Sequence, residues 1–263
     1  MNDLNLAPLH NEFRKKVLII GGLGFIGSHL VKKSIKKGYE VTIFSRSEKT
    51  VNIEAIKDKV KLIIKDLKDI DEEVKSFDFI FNLAGSTDNY AIIENQPYRD
   101  IEANCTTAIS LLEACRKHNP KARIIFASTF FVNGNVNNLP VTPESPCNPL
   151  GLYPATKLAA EHFFKIYHNV FNLDIVIARF TNVFGPFEQA ENKKKAGFNY
   201  LINLALKGQD IPIYNHGDFF RDYHFDNLSP LDWDKVFELL PIYENKKMEK
   251  KVKEYYGDFK SKQ

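Results

Sequence analysis

The sequence predicts an α/β fold: a doubly wound parallel sheet wrapped by helices, with a small, shortened C-terminal region. Three observations predict it. Short β-rich runs alternate with longer helical patterns from Lys16 onward. The runs are mostly apolar, as expected of strands covered on both faces. The first run also stops at a cluster of glycines that opens the first helix. In this architecture the ligand crevice lies beyond the carboxyl ends of the strands, so residues with chemistry are expected just after each one.

Each element follows from local pattern. Val17-Leu18-Ile19-Ile20 is an apolar run ending at Gly21 and reads as a buried strand. Phe25 to Lys37 has helical spacing in Ile26, Leu30, Val31 and Ile35 and stops at Gly38, a good C-terminal signal. Further strands are expected at Val41 to Phe44, Val60 to Ile64, Phe77 to Leu83, Arg123 to Ala127 and Ile175 to Phe180. Long helices are expected at Tyr98 to His118 and Tyr153 to Phe171. Residues 187–196 are polar and read as a loop. A helix from Phe198 to Lys207, a short strand from Ile211 to Tyr214 and a helix around Trp233 to Leu240 follow it. The organisation expected is a polar tail at 1–15, a sheet-and-helix domain at 16–185, and a reduced region at 186–263 with a Lys-rich end.

Composition narrows the function. Among 263 residues, 36 basic against 33 acidic side chains give a formal charge of +3. Residues 244–263 hold seven Lys against Glu244, Glu249, Glu254 and Asp258, so they carry that whole excess. The near-neutral remainder argues against a nucleic-acid or membrane-surface partner. Cys105, Cys115 and Cys147 form no CxxC pair, so neither a metal site nor a disulfide framework is expected. Reduced thiols, a polar start and no long apolar run suggest a cytoplasmic protein.

Three motifs point to one chemistry. Gly21-Gly22-Leu23-Gly24-Phe25-Ile26-Gly27 satisfies both GxGxxG and GxxGxxG between strand and helix. Such glycines permit a tight turn and close approach of backbone to a pyrophosphate, which the helix N-terminus attracts. The second strand ends in Ser45-Arg46, where a dinucleotide fold usually places a ribose-binding carboxylate. A carboxylate would repel a 2′-phosphate, whereas Ser45 and Arg46 would accept one, so the pair favours NADP; Arg46 could instead cover the adenine face. Asp66, just after the third strand, is placed to accept from the adenine amino group. Finally, Tyr153-Pro154-Ala155-Thr156-Lys157 puts Tyr153 and Lys157 on one helix face. A neighbouring ammonium and the helix N-terminus would favour the phenolate, fitting Tyr153 to move the proton of a secondary alcohol.

Taken together, these motifs resemble the extended short-chain dehydrogenase/reductase family, in its NAD-dependent epimerase/dehydratase group acting on nucleotide sugars. The likeness spans residues 16–227. Its runs are Gly21–Gly27, Asp66-Leu67, Asn82-Leu83-Ala84-Gly85, Asn104, Ala127-Ser128-Thr129 and Tyr153–Lys157 with Glu161. Arg179-Phe180-Thr181-Asn182-Val183-Phe184-Gly185-Pro186 and Phe220-Arg221-Asp222 complete the set. The resemblance implies a Rossmann domain holding NAD or NADP. Phe25 and Ile26 of the glycine turn, Leu67, Leu83, Ala84, Gly85, Asn104 and Phe180 would line the cofactor. Thr129 would bond the sugar oxygen whose proton moves, Tyr153 would be the acid/base, and Lys157 would hold the nicotinamide ribose. Asn182 and Arg221 would reach the sugar-nucleotide diphosphate, Arg221 with a bidentate fork. Relatives commonly pair through the two long helices, which implies a homodimer; Leu158, Phe163, Ile166 and Val170 suit burial on more than one side of the second.

Two departures refine the reading. Family dehydratases and decarboxylases place an acid within two positions of the catalytic Ser/Thr, but Thr129 is followed by Phe130-Phe131. The family's V-Y-G is here Val132-Asn133-Gly134. After Asn227 the likeness ends, and the substrate region is expected to be reduced. The function expected is a nucleotide-sugar 4-epimerase. Its rivals are an NADPH-dependent reductase of a keto-sugar nucleotide and a cofactor-binding module without catalysis.

Overall fold

The computed structural model describes residues 14–85, 96, 98–136, 140–188, 197–210 and 223–225. Six parallel strands form one sheet in the order β3-β2-β1-β4-β5-β6: β1 (Lys16–Ile20), β2 (Glu40–Ser45), β3 (Lys61–Ile64), β4 (Phe79–Asn82), β5 (Arg123–Thr129) and β6 (Asp174–Phe180). This is the doubly wound order, which reverses direction between β1 and β4 and opens a crevice there. β7 (Asn182–Phe184) pairs in parallel with β8 (Tyr223–Phe225) in a separate sheet.

Alternation of side chains along β1 explains the layering. Val17 and Ile19 join Leu30 and Val31 of α1 (Phe25–Lys36), together with Ile43 and Ile125, on one face. Leu18 and Ile20 join Leu111 and Leu112 of α3 (Thr107–His118) and Phe164 of α4 (Leu152–Phe171) on the other. All four of these β1 residues are at most 1% exposed, so the strand is covered on both sides as its apolar run suggested. β3 is different. It is the edge strand, and Leu62 and Ile64 are 39% and 36% exposed.

The stretch read from sequence as one regular helix, Tyr98 to His118, is a composite. α2 (Tyr98–Asp100) runs into a π-helical stretch, Ile101–Thr106, before α3 begins. α4 is preceded by Gly151 as its cap and ends at Asn172 in the left-handed conformation with φ 56°, a residue type that tolerates it. The last helix described is α5 (Gly197–Leu206). The expected strand at 211–214, the helix at 233–240, the N-terminal tail up to residue 13 and the Lys-rich end lie outside the described residues.

Candidate active site

The expected site residues within the described chain lie along the carboxyl edge of the sheet, at the start of α4 or, for Asn104, in the π-helical stretch. At the end of β1, Gly21 adopts φ +81°. Its N–H donates to the Phe44 carbonyl at 2.9 Å, which draws the end of β2 alongside. A Cβ on Gly21 would lie 3.1 Å from Ala84 N, and one on Gly27 only 2.2 Å from Gly21 O. Turn, helix and β4 loop therefore pack backbone to backbone. Gly24 caps α1 without a side-chain bond, and the first turn of α1 contains no acid. Helix geometry leaves the leading N–H groups, at Phe25 and Ile26, without intrahelical acceptors. The cradle fits a pyrophosphate.

Leu83, Ala84 and Gly85 follow β4 across the crevice. Leu83 N–H donates to Ile20 O at 3.0 Å, and Ala84 N–H to the buried Asn82 Oδ1 at 3.2 Å. A Cβ on Gly85 would meet Asn104 Oδ1 at 2.6 Å and Lys157 Nζ at 3.0 Å. Asn104 is delivered by the π-helical stretch and donates to Thr156 Oγ1 at 3.0 Å, whose hydroxyl donates to Tyr153 O at 2.9 Å. The backbone at Gly85 thus runs against Lys157, as a site for the nicotinamide end of a dinucleotide requires.

Ser45 and Arg46 stand at the end of β2, Arg46 exposed and the Ser45 hydroxyl accepting from Ser47 N–H at 3.1 Å. Asp66 after β3 caps the 3₁₀ turn Leu67–Asp69 by accepting from Lys68 N–H at 3.0 Å, and Leu67 is buried. Phe180 ends β6 opposite Thr129, and Asn182 opens β7. Arg221 lies outside the described residues.

Thr129, Tyr153 and Lys157 are brought together, each no more than 8% exposed. Their electrostatics differ from what the motif alone suggests. Burial pushes the Tyr153 phenol up to about 12, a hydrogen bond with the Thr129 hydroxyl opposes this, and the Asp100 charge adds to it. Lys157 is lowered to about 8 by burial. Its Nζ donates to the Ala127 carbonyl at 3.0 Å and stands 4.8 Å from the Phe126 ring centroid. The ammonium is therefore turned toward the strand end, and burial is the largest influence on the phenol.

Beneath these three lies a polar network to which the sequence reading assigns no role. Glu161 is wholly buried. It accepts from Ser128 Oγ at 2.5 Å, Arg179 Nε at 2.9 Å and Arg179 Nη2 at 2.7 Å. Arg179 Nη2 also reaches Cys147 Sγ at 3.2 Å. Asn133, which replaces the family tyrosine, is 3% exposed and donates to the Ser145 and Pro146 carbonyls at 3.3 and 3.1 Å. It pins the segment that presents Cys147 to Arg179. Thr129 caps the 3₁₀ turn Phe130–Asn133 by accepting from Phe131 N–H, and the two phenyl rings lie 4.2 Å apart.

Comparison with known proteins agrees with this geometry. The model of the family described as NAD dependent epimerase/dehydratase matches residues 17–226. A UDP-glucose 4-epimerase of Corynebacterium glutamicum is 30% identical over 197 residues, covering 73% of this chain and 58% of that protein. Among solved structures, a UDP-N-acetylglucosamine 4-epimerase from Methanobrevibacter ruminantium in complex with UDP-N-acetylmuramic acid is 31% identical with a TM-score of 0.75. The match covers 81% of this chain and 69% of that one. A UDP-glucuronic acid 4-epimerase from Bacillus cereus with UDP-glucuronic acid and NAD is 27% identical with a TM-score of 0.72, covering 80% and 69%. Across the curated relatives considered, the chain spans between 51% and 73% of their length.

Proposed function

The chain belongs to the NAD dependent epimerase/dehydratase family, and on that premise we propose that it is a nucleotide-sugar 4-epimerase using a bound nicotinamide dinucleotide. The observation that carries the reading is the buried Thr129–Tyr153–Lys157 set beside a glycine turn suited to a pyrophosphate. A nicotinamide dinucleotide bound here would supply reversible hydride acceptance at the sugar carbon. Gly21–Gly27 and Leu83–Gly85 hold the pyrophosphate and ribose, and Lys157 the nicotinamide ribose. Thr129 orients the sugar hydroxyl, and Tyr153 removes and returns its proton. Lys157 would then act on a phenol that burial, together with the Asp100 charge, holds high. Apolar Phe130 and Phe131 give no group for the proton transfers of dehydration or decarboxylation.

The relatives named support a uridine diphosphate sugar as substrate, with Asn182 and Arg221 reading its diphosphate. The test is incubation with UDP-glucose, UDP-N-acetylglucosamine and UDP-glucuronate. Isomer interconversion by NMR without net change in nicotinamide absorbance is the expected result. Stoichiometric NADPH consumption would instead establish a reductase.

The structural neighbours include complexes with NAD. For this chain the exposed Arg46 beside Ser45 supports NADP(H) binding at least as tight as NAD(H). A guanidinium on a 2′-phosphate contributes roughly 1.5–3 kcal/mol per charge-assisted hydrogen bond. A homodimer through the π-helical stretch with α3 and α4 is supported by Ile101, Ile109, Ile166 and Val170, which are 40%, 41%, 52% and 65% exposed. Leu158 and Phe163 are instead half-buried within the chain. No helix among the described residues is long and apolar enough to cross a membrane. Three free cysteines support a cytoplasmic setting.

A further inference from the structure

The turn that leaves β7 is gripped from two sides. Asn199 of α5, 5% exposed, donates its Nδ2 to the Gly185 carbonyl at 2.9 Å. His29 of α1, also 5% exposed, meets the Pro186 carbonyl with Nε2 at 2.9 Å. The next residue, Phe187, stands at φ 73°, a costly backbone conformation that persists where the surroundings over-determine it. Two contacts from α1 do so here: the His29 ring centroid lies 5.6 Å from that of Phe187, and Lys32 Nζ stands 3.8 Å over the phenyl ring. His29 also makes a T-shaped contact with Phe25, the first residue of α1, at 5.7 Å. One side chain thus touches both the residue that opens the pyrophosphate cradle and the turn that leaves β7.

Packing alone does not account for a histidine at this place. A carbonyl oxygen only accepts, so Nε2 carries the proton of the bond to Pro186. Burial lowers the imidazole below its ordinary range, so the ring is neutral near pH 7. Nδ1 is then a bare acceptor, buried and without a hydrogen-bond partner among the described residues. A phenyl ring of similar shape would fill the same space without that cost. What the histidine adds is the bond to the turn. That bond matters because β7 pairs with β8 and, among the described residues, not with the six-stranded sheet.

We propose that His29 is a positioning residue: it clasps the end of β7 to α1, so that the strand carrying Asn182 is held in place by the helix whose N-terminus receives the cofactor. The inference rests on the reading of the glycine turn as the cofactor cradle and of Asn182 as a substrate contact.

The test is amide hydrogen exchange in the full chain, comparing wild type with His29→Phe at Asn182–Phe184 and in the main sheet. Exchange in β7 is expected to quicken at least tenfold in the variant, with β1 and β4 unchanged, as for a local opening. His29→Gln keeps an N–H donor and is expected to restore most of the protection. Equal protection of β7 in wild type and in folded His29→Phe would overturn the proposal. So would acceleration spread evenly over β1, β4 and β7, the mark of a general loss of stability. Should His29→Phe not fold, the ¹⁵N histidine spectrum of the wild type decides. The Nε2–H tautomer is expected for His29 near pH 7, and an Nδ1–H tautomer, or titration at the ordinary 6.5, would overturn the clasp. Neither measurement uses substrate or cofactor, so failure to bind NAD(H) or to epimerise would count against the activity alone. Where turnover is found, His29→Phe should raise KM for the sugar nucleotide more than it lowers kcat.

Discussion

At the β1–α1 turn the protein makes its site by leaving side chains out, whereas at the β5–α4 end it makes one by burying them. Gly21, Gly24 and Gly27 present backbone and helix N–H groups, and the only demand on the chain is that nothing larger than hydrogen intrude. Ser128, Thr129, Tyr153, Lys157, Glu161 and Arg179 are all charged or polar, all at most 9% exposed, and each depends on partners from other elements. The first construction is suited to an anion at little electrostatic cost. The second stores cost in buried charge and recovers it as chemistry.

The sharpest way to separate the two ends is Tyr153→Phe. Turnover should fall by about 10²–10⁴-fold, the range for a lost general acid/base, with cofactor affinity changed by only a few-fold in a fluorescence titration. Retention of more than about a tenth of the activity would break the assignment. Next is Lys157→Met. Lys157 sits at about 8 when folded, below the ordinary 10.5. Between those values the unfolded chain binds more protons, so stability rises with pH across that window, and below pH 8 the full penalty applies. Removing the charge should stabilise the fold at pH 7 by up to about 3 kcal/mol. Turnover should be lost, and the gain should shrink by pH 10. Calorimetry at the two pH values checks it, and a destabilised variant would mean that packing of the lysine stem outweighs its buried charge.

At the glycine end, Gly27→Ala should destabilise by about 1–3 kcal/mol through overpacking and weaken both NAD(H) and NADP(H), because its Cβ would meet Gly21 O at 2.2 Å. Gly38→Ala is the contrast. It has φ +82° but nothing within 4 Å, so denaturant melts should show only about 1–2 kcal/mol of backbone strain and unaltered cofactor affinity. The smallest expected effect is Arg46→Ala, which should weaken NADP(H) by about tenfold and leave NAD(H) alone. Equal weakening of both would make Arg46 an adenine-stacking residue.

The same contrast explains what the sequence revealed. Mostly apolar runs announced the strands, and a glycine motif can be read because its members are adjacent and its requirement is local. β3 misled, since Lys61–Ile64 is apolar enough to look covered while sitting at the sheet edge. The break at Ile101–Thr106 was invisible because helical periodicity tolerates one wide turn. Tyr153 and Lys157 were legible as a pair, but the direction of the lysine was not, because its acceptor, the Ala127 carbonyl, is a backbone atom 30 residues away. Glu161 and Arg179 were legible as letters of motifs only. Their bond depends on the β5–β6 register, which no local pattern encodes.

The wide turn at Ile101–Thr106 gives this end of the molecule room for one residue more than a regular helix would hold. A π turn accommodates more residues per revolution than an α turn, so removing one of its six residues would let the helix become regular while α2 and α3 keep nearly the same facing. The core contacts of Ala108, Leu111 and Leu112 would survive. The hydrogen bond from Asn104 to Thr156, made from within the wide turn, would be the contact at risk. The stretch works as a local bulge that aims one side chain at Thr156, where a single-codon deletion would remove that aim and leave the helix standing.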